Sequence, residues 1–333
     1  MSKNIPLVKD IGENGLISII RAKVAGGVRL PVEIGDDAFV AGISKNYSLA
    51  VTTDILVENT HFRRDWSSPR DIGYKAIAVN ISDLAAMGDC KPRYCLVGLA
   101  LPGNTPVDFV KKLYTGMNES ARKWNAKICG GDTVKSEKDI VISITLIGEI
   151  KNGAAITRGG AQVGDYIAVT GTFGDSAGGL FILKNKVKIN AASRRYLLKK
   201  HCLPEPRLDA SRRLAKTGTI TGMIDSSDGL AASLRCIGEE SCVGARIDLD
   251  RVPVSPHLRH LCRTGTPPLI STVLTGGEEY ELVFTFPASA AAAVKKALPE
   301  ATVIGTITAG REIKYYVKEQ SYQLPSSEFR HFA

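Results

Sequence analysis

Residues 46–57, NYSLAVTTDILV, alternate weakly between apolar and polar positions and are rich in Val, Thr and Ile, which predicts a strand. The stretch PRDIGYKAIAVNISDLAAMGD (69–89) is apolar around most of a helical circumference, which predicts a helix buried on nearly every side. RYCLVGLALP (93–102) reads as a strand and PVDFVKKLYTGMNESARKWN (106–125) as an amphipathic helix with a basic outer face. AKICGGDTV and IVISITLIGEI complete a strand-rich unit. The polar, glycine-rich KNGAAITRGGAQVGD (151–165) interrupts these patterns, so the expected domains are residues 1–150 and 151–333.

Past that interruption come a strand at YIAVTG, a turn at TFGDSAGG and helical segments near 177–186 and 192–200. A strand at GARIDLD, a turn and strand at LTGGEEYELVFTF, a helix at ASAAAAVKKAL and short strands to the end follow. The irregular mixture predicts a mixed α/β or α+β protein rather than one doubly wound sheet.

Against this pattern the acids stand out. IGDDAFV holds Asp36 and Asp37, VTTDILV holds Asp54, NISDLAAMGD holds Asp83, and CGGDTV holds Asp132. MIDSSDGLAASL holds Asp225 and Asp228, and TGGEEYEL holds Glu278 and Glu279. In most cases an apolar run ends in glycine or hydroxyl residues and then an acid. Any one Gly-Asp also reads as a turn, and Asp225 or Asp228 as a cap for the helix that follows. Ionised carboxylates in apolar surroundings cost several kcal/mol unless something offsets them. The flanking segments offer few cations, so the set together points to hard divalent ions, with Thr52, Thr53 and Ser82 as further oxygen donors.

No G-x-x-x-x-G-K-[ST] occurs, and no G-x-G-x-x-G follows a strand. The glycine-rich GTFGDSAGG is a weak anion signal or a plain turn. The five histidines have no metal-ligand spacing, and no nucleophile elbow is present. The seven cysteines lack any C-x-x-C pair, which argues against a disulfide framework or a zinc site. A length of 333 residues suits two cores rather than one. Apolar content of 44% and charged content of 23% fit a globular enzyme. The net charge of +9 suits anionic small substrates; its basic residues form no long blocks and aromatics are only 6%, so no nucleic-acid partner is expected. No secretory segment is evident and no apolar run nears the ~20 residues of a membrane span, so no membrane partner is expected and the cytoplasm is the expected compartment.

GDDAFV, TTDILVENTHF, GYKAIAVNISDLAAMGD, GGDTV, TRGG, VTGTFGDSAGGL, DSSDGL and GGEEYEL occur here in that order. This ordered set, running nearly end to end, resembles the thiamine-monophosphate kinase family of the aminoimidazole ribonucleotide synthetase-like, ATP-dependent superfamily. The resemblance implies an N-terminal α/β domain that binds ATP and Mg²⁺ and dimerises through its sheet, and a C-terminal α+β domain. It implies a homodimer that uses ATP as co-substrate and several Mg²⁺ ions to phosphorylate thiamine monophosphate. By matching positions, Asp37, Thr52, Thr53, Asp54, Asp83, Asp132, Asp225 and Asp228 would be metal ligands. Gly131, Asp132, Arg158 and Ser227 would contact ATP, and His61, Glu278 and Phe329 the thiamine ester. No residue is implied as a general base: Asp54, Asp83 and Asp132 would act through metal. A sister ATP-dependent activity of the superfamily and a non-catalytic Mg-ATP-binding module are the alternatives.

Overall fold

The structure, a computed structural model, describes residues 36–324 together with residues 15, 31 and 32. Its first sheet has five strands in the order β1-β2-β5-β3-β4. These are β1 (Phe39–Gly42), β2 (Tyr47–Val57), β3 (Lys91–Pro102), β4 (Lys127–Ser136) and β5 (Val141–Lys151). All neighbours are antiparallel except β3 and β4.

Strand β5 shows why one face is covered. Ile142, Ile144, Leu146 and Ile150 recur every second residue or at its multiples and are buried, while Val141, Ser143, Thr145, Ile147 and Glu149 are half-buried on the other side. On that open face Phe39, Ile55, Tyr94, Leu96 and Val134 remain exposed.

Helix α1 (Pro69–Ala86) covers the other face, capped by Ser68, whose hydroxyl accepts from the Asp71 amide at 3.2 Å. It is buried almost all round, as its unbroken apolar circumference predicts. Helix α2 (Val107–Lys123) packs across it with one apolar face (Phe109, Leu113, Met117) and lysines outward. The crossing is tight: a Cβ on Gly73 would meet the Leu113 carbonyl oxygen at 2.0 Å, and one on Gly116 would meet the Arg70 carbonyl oxygen at 1.8 Å. Only glycine fits either position.

The second sheet has seven strands in the order β12-β11-β8-β10-β6-β9-β7. They are β6 (Tyr166–Val169), β7 (Gly222–Asp225), β8 (Gly244–Asp248), β9 (Leu282–Phe286), β10 (Thr302–Thr308), β11 (Ile313–Val317) and β12 (Gln320–Tyr322). Ala168, Met223, Phe284 and Phe286 from one face of this sheet join the core of α1 and the first sheet. Ile167, Val169, Ile224 and Val283 from the other face build a separate core. Helices α3 (Asp175–Asn185), α4 (Ala191–Cys202), α6 (Leu230–Ser241), α7 (Pro256–Leu261) and α8 (Leu269–Thr275) contribute to that second core. Helix α5 (Leu208–Ala215) packs on α1, and α9 is Ala291–Ala297.

Three short helices depart from the sequence expectation. α5 and α7 carry no long apolar period, and α8 (LISTVLT) is β-branched, so it resembles the start of a strand. Tertiary packing overrides that preference: Val273 and Leu274 are buried, and the strand starts only at Leu282. Among the described residues, no helix is long and apolar enough to cross a membrane.

Candidate active site

Four segments converge where α1 runs between the sheets. Strand β2 carries Thr52 and Asp54 on its helix-facing side, since i and i+2 share a face. Helix α1 brings Ser82 and Asp83. The loop before β1 brings Asp36 and Asp37, and the end of β7 brings Asp225. Carboxylate oxygens of Asp37, Asp83 and Asp225 all lie within 4.8 Å of one another. Asp54 hydrogen-bonds to Asp83, and the charge of Asp228 bears on both Asp54 and Asp225. Two carboxyl groups in hydrogen-bond contact must share a proton or a cation.

The surrounding donors hold these acids in place. Thr52 Oγ1 donates to Asp83 Oδ2, and Ser82 Oγ donates to Asp225 Oδ2 at 2.6 Å. Arg158 donates through Nη2 to Asp37 Oδ1 and through its amide to Asp36 Oδ2 at 3.1 Å. Asp37 Oδ2 is buried and has no hydrogen-bond partner among the described residues. Desolvation and mutual repulsion push Asp37 up to about 7 and Asp54 and Asp225 to about 6, against Arg158 for Asp37, the bond to Asp83 for Asp54, and the Ser82 hydroxyl and Arg158 for Asp225. Asp83 rises well above the ordinary carboxylate value for the same reasons, desolvation first and then the charges of Asp54, Asp225 and Asp37. A pocket of oxygens with excess negative charge and one orphaned acceptor fits hard divalent cations.

Asp225 and Asp228 are not helix caps. The N-cap of α6 is Gly229, with no side-chain cap bond. Instead the DSSD loop pairs with GGEEYEL: Ser226 N–H donates to Glu281 O at 2.9 Å, Tyr280 N–H to Ser226 O at 2.9 Å, and Glu278 N–H to Ser227 O at 2.5 Å. Ser227 is exposed beside the cluster.

Two of the predicted ligands lie elsewhere within one chain. Thr53 points to the open face, where its hydroxyl donates to Ile144 O at 3.0 Å. The register aligns Asp132 of β4 with Gly98, Ser143 and Ile55 across the sheet, the row on the face opposite Asp54. Asp132 is exposed there, its carboxylate accepting from the Thr133 amide at 2.8 Å. Gly131 precedes it, where a Cβ would sit 1.9 Å from the Val97 carbonyl oxygen.

His61 follows β2 and accepts from the Val57 amide at Nδ1, 3.0 Å away. Nearby, Glu278 Oε1 takes the Lys75 ammonium at 2.5 Å and Oε2 lies 3.2 Å from His201 Nδ1. The other acids of GGEEYEL turn away from this point. Glu279 accepts from the Ser176 amide at 3.1 Å at the start of α3. Glu281 is forked by Arg207, with Nε at 2.6 Å and Nη2 on the second oxygen, and takes the Thr170 hydroxyl at 2.7 Å. Phe329 lies outside the described residues. Sequence reading missed Lys75 and His201; a lone lysine in a greasy helix was the one signal for the first, and the second had none.

The chain matches the model of AIR synthase related proteins, N-terminal domain, over residues 35–150 and C-terminal domain over residues 162–318. It is 37% identical over 334 residues to the thiamine-monophosphate kinase of Escherichia coli strain K12, covering 97% of this chain and 98% of the relative. The enzyme of that name from Bacillus subtilis strain 168 is 38% identical over 275 residues, 82% of this chain and 83% of the relative. The solved structure of AaThiL complexed with AMPPCP and TMP superposes with a TM-score of 0.86 at 31% identity, covering 99% of this chain and 100% of that one. The Escherichia coli hydrogenase maturation protein HypE, at 23% identity and TM-score 0.69 over 84% of this chain and 86% of its own, shares the fold. The chain belongs to the thiamine-monophosphate kinase family of AIR synthase related proteins.

Proposed function

We propose that this chain transfers the γ-phosphoryl group of ATP to thiamine monophosphate, giving thiamine diphosphate and ADP. The cluster of Asp37, Asp83 and Asp225, with Asp54 bonded to Asp83 and the charge of Asp228 close by, carries this reading, together with the orphaned oxygen of Asp37. These carboxylates, with Thr52, would hold Mg²⁺. Magnesium bound there supplies charge neutralisation and alignment for phosphoryl groups.

The residues themselves account for the rest. The acceptor is a phosphate monoester whose second pKa is ~6, so it is already a nucleophile at neutral pH and no general base is needed. That suits a cleft lined by acids. Arg158, pinned by Asp36 and Asp37, fits the ATP triphosphate, and the exposed Ser227 of the DSSD loop would be a further ATP contact. His61 and Glu278 bound a neighbouring spot for the thiamine ester. Transfer is direct and in line, without a covalent enzyme intermediate.

The domain division proposed is residues 1–150 and 151–333, the first serving ATP, Mg²⁺ and dimerisation. The open apolar face of the first sheet supports a homodimer, since such a face is costly to leave in water. Thr53 and Asp132 would then stand at that interface.

Incubation with ATP, Mg²⁺ and thiamine monophosphate, read by chromatography, tests the function. Thiamine diphosphate and ADP in equal amounts are expected. ADP alone would point to a sister ATP-using activity, and nucleotide binding without turnover to a binding module.

The metal reading has its own test in stability. The raised acids, ordinarily near 3.8, keep protons in the folded state that the unfolded chain has released. They impose no penalty below about pH 4 and a growing one as pH rises through about 7. A cation binding the ionised carboxylates removes that penalty. Millimolar Mg²⁺ is expected to raise the melting temperature by about 5 °C near pH 8 and by under about 2 °C near pH 5.5. Equal shifts at both pH values would contradict cation binding by this cluster.

A further inference from the structure

Glu278 has an unusual setting for a residue meant to meet a ligand. Its backbone is left-handed, with φ of +62°, a conformation that a non-glycine residue keeps only when the surroundings fix it. Its amide is tied to Ser227 O. One carboxylate oxygen takes Lys75 from α1, in the first half of the chain, and the other faces His201 from α4, in the second. Both partners are buried, whereas the Glu278 side chain keeps 24% of its surface open. Each carboxylate oxygen has two acceptor sites, and one of the two side chains faces each oxygen. His201 Nδ1 is also 3.1 Å from Ser176 Oγ, which fixes the ring, and Lys75 reaches the His61 carbonyl at 3.4 Å.

We infer that Lys75 and His201 are positioning residues that aim the free side of the Glu278 carboxylate at the cationic thiamine ester. This rests on the reading of Glu278 as a substrate contact. Burial acts against the charge of Glu278, and the Lys75 ammonium foremost overrides it, so its carboxyl lies below the ordinary value; burial lowers His201 to about 4, so its ring is neutral and acts by position rather than by charge. The pair therefore delivers an ionised, oriented acceptor to a ligand with a permanent thiazolium charge. A pair serving structure alone would be replaceable without changing substrate affinity.

Steady-state kinetics with both substrates varied provides the test. Lys75→Met is expected to raise KM for thiamine monophosphate about tenfold, with kcat within about twofold and KM for ATP unchanged. Lys75→Arg should recover most of that loss, and His201→Leu should raise the same KM about threefold. In a Glu278→Gln background, Lys75→Met should add nothing further. The inference is overturned if Glu278→Gln raises KM but Lys75→Met does not, if the two effects add, or if kcat falls and both KM values rise together with a loss of stability. Should Glu278→Gln itself leave KM unchanged, the substrate-contact reading fails and takes this inference with it.

Discussion

Asp83→Asn is expected to lower kcat by about a thousandfold while leaving the fold intact. Asp83 sits at the centre of the cluster, bonded by Thr52 and in contact with Asp54. Its repulsion with Asp54, Asp225 and Asp37 is part of what lifts its pKa. Asparagine keeps an acceptor for the Thr52 hydroxyl and the same shape, but removes one charge. The metal-free variant should therefore melt at the same temperature as the parent or a few degrees higher, because the charge lost was an unfavourable one. Asp54→Asn should behave alike, since desolvation and the charges of Asp37 and Asp228 press on it in the same way. Circular dichroism alongside the kinase assay checks both halves. Parent-like turnover in the two variants would remove the basis for the metal assignment.

Arg207→Met is expected to be strongly destabilising. Glu281 is almost wholly buried, and Arg207 supplies its bidentate partner. Losing one partner of such a pair strands the other charge at a cost of about 3–5 kcal/mol. Lys200, 3.7 Å from Glu281, offsets part of this, which places the loss near the lower end. The melting temperature should fall by about 5–10 °C in thermal unfolding. Adding Glu281→Gln should recover much of that fall, because the stranded charge is gone. A single variant melting within about 1 °C of the parent would show that the pair contributes nothing net.

Much of this was legible in the chain and some was not, for reasons that differ by residue. α1 declared itself because a helix between two sheets must be apolar nearly all round. β5 did so because one face packs on α1 and the other stays open. The acids were visible as breaks in apolar runs, and the period of two already puts Thr52 with Asp54 and Thr53 opposite. The row occupied by Asp132 was beyond reach, since register depends on three strand pairings that no local pattern encodes. The same holds for Lys75 and His201, which meet Glu278 across separations of 203 and 77 positions (278 minus 75 and 278 minus 201). Short helices such as α7 have too few residues to show a period. Ser82 reaching Asp225 is equally non-local, although both segments were singled out as acidic clusters.

The contact through Gly73 and Gly116 fixes more than two helices. Backbone against backbone leaves no side chain to yield, so α1 is held at one position along its own axis. Lys75 and Ser82, two turns apart on that rod, therefore span a set interval between the Lys75–Glu278 pair and the acid cluster, the two places proposed for the thiamine ester and the metal-bound nucleotide. On the proposed reading, a helix that cannot slide sets the separation of the two ligands.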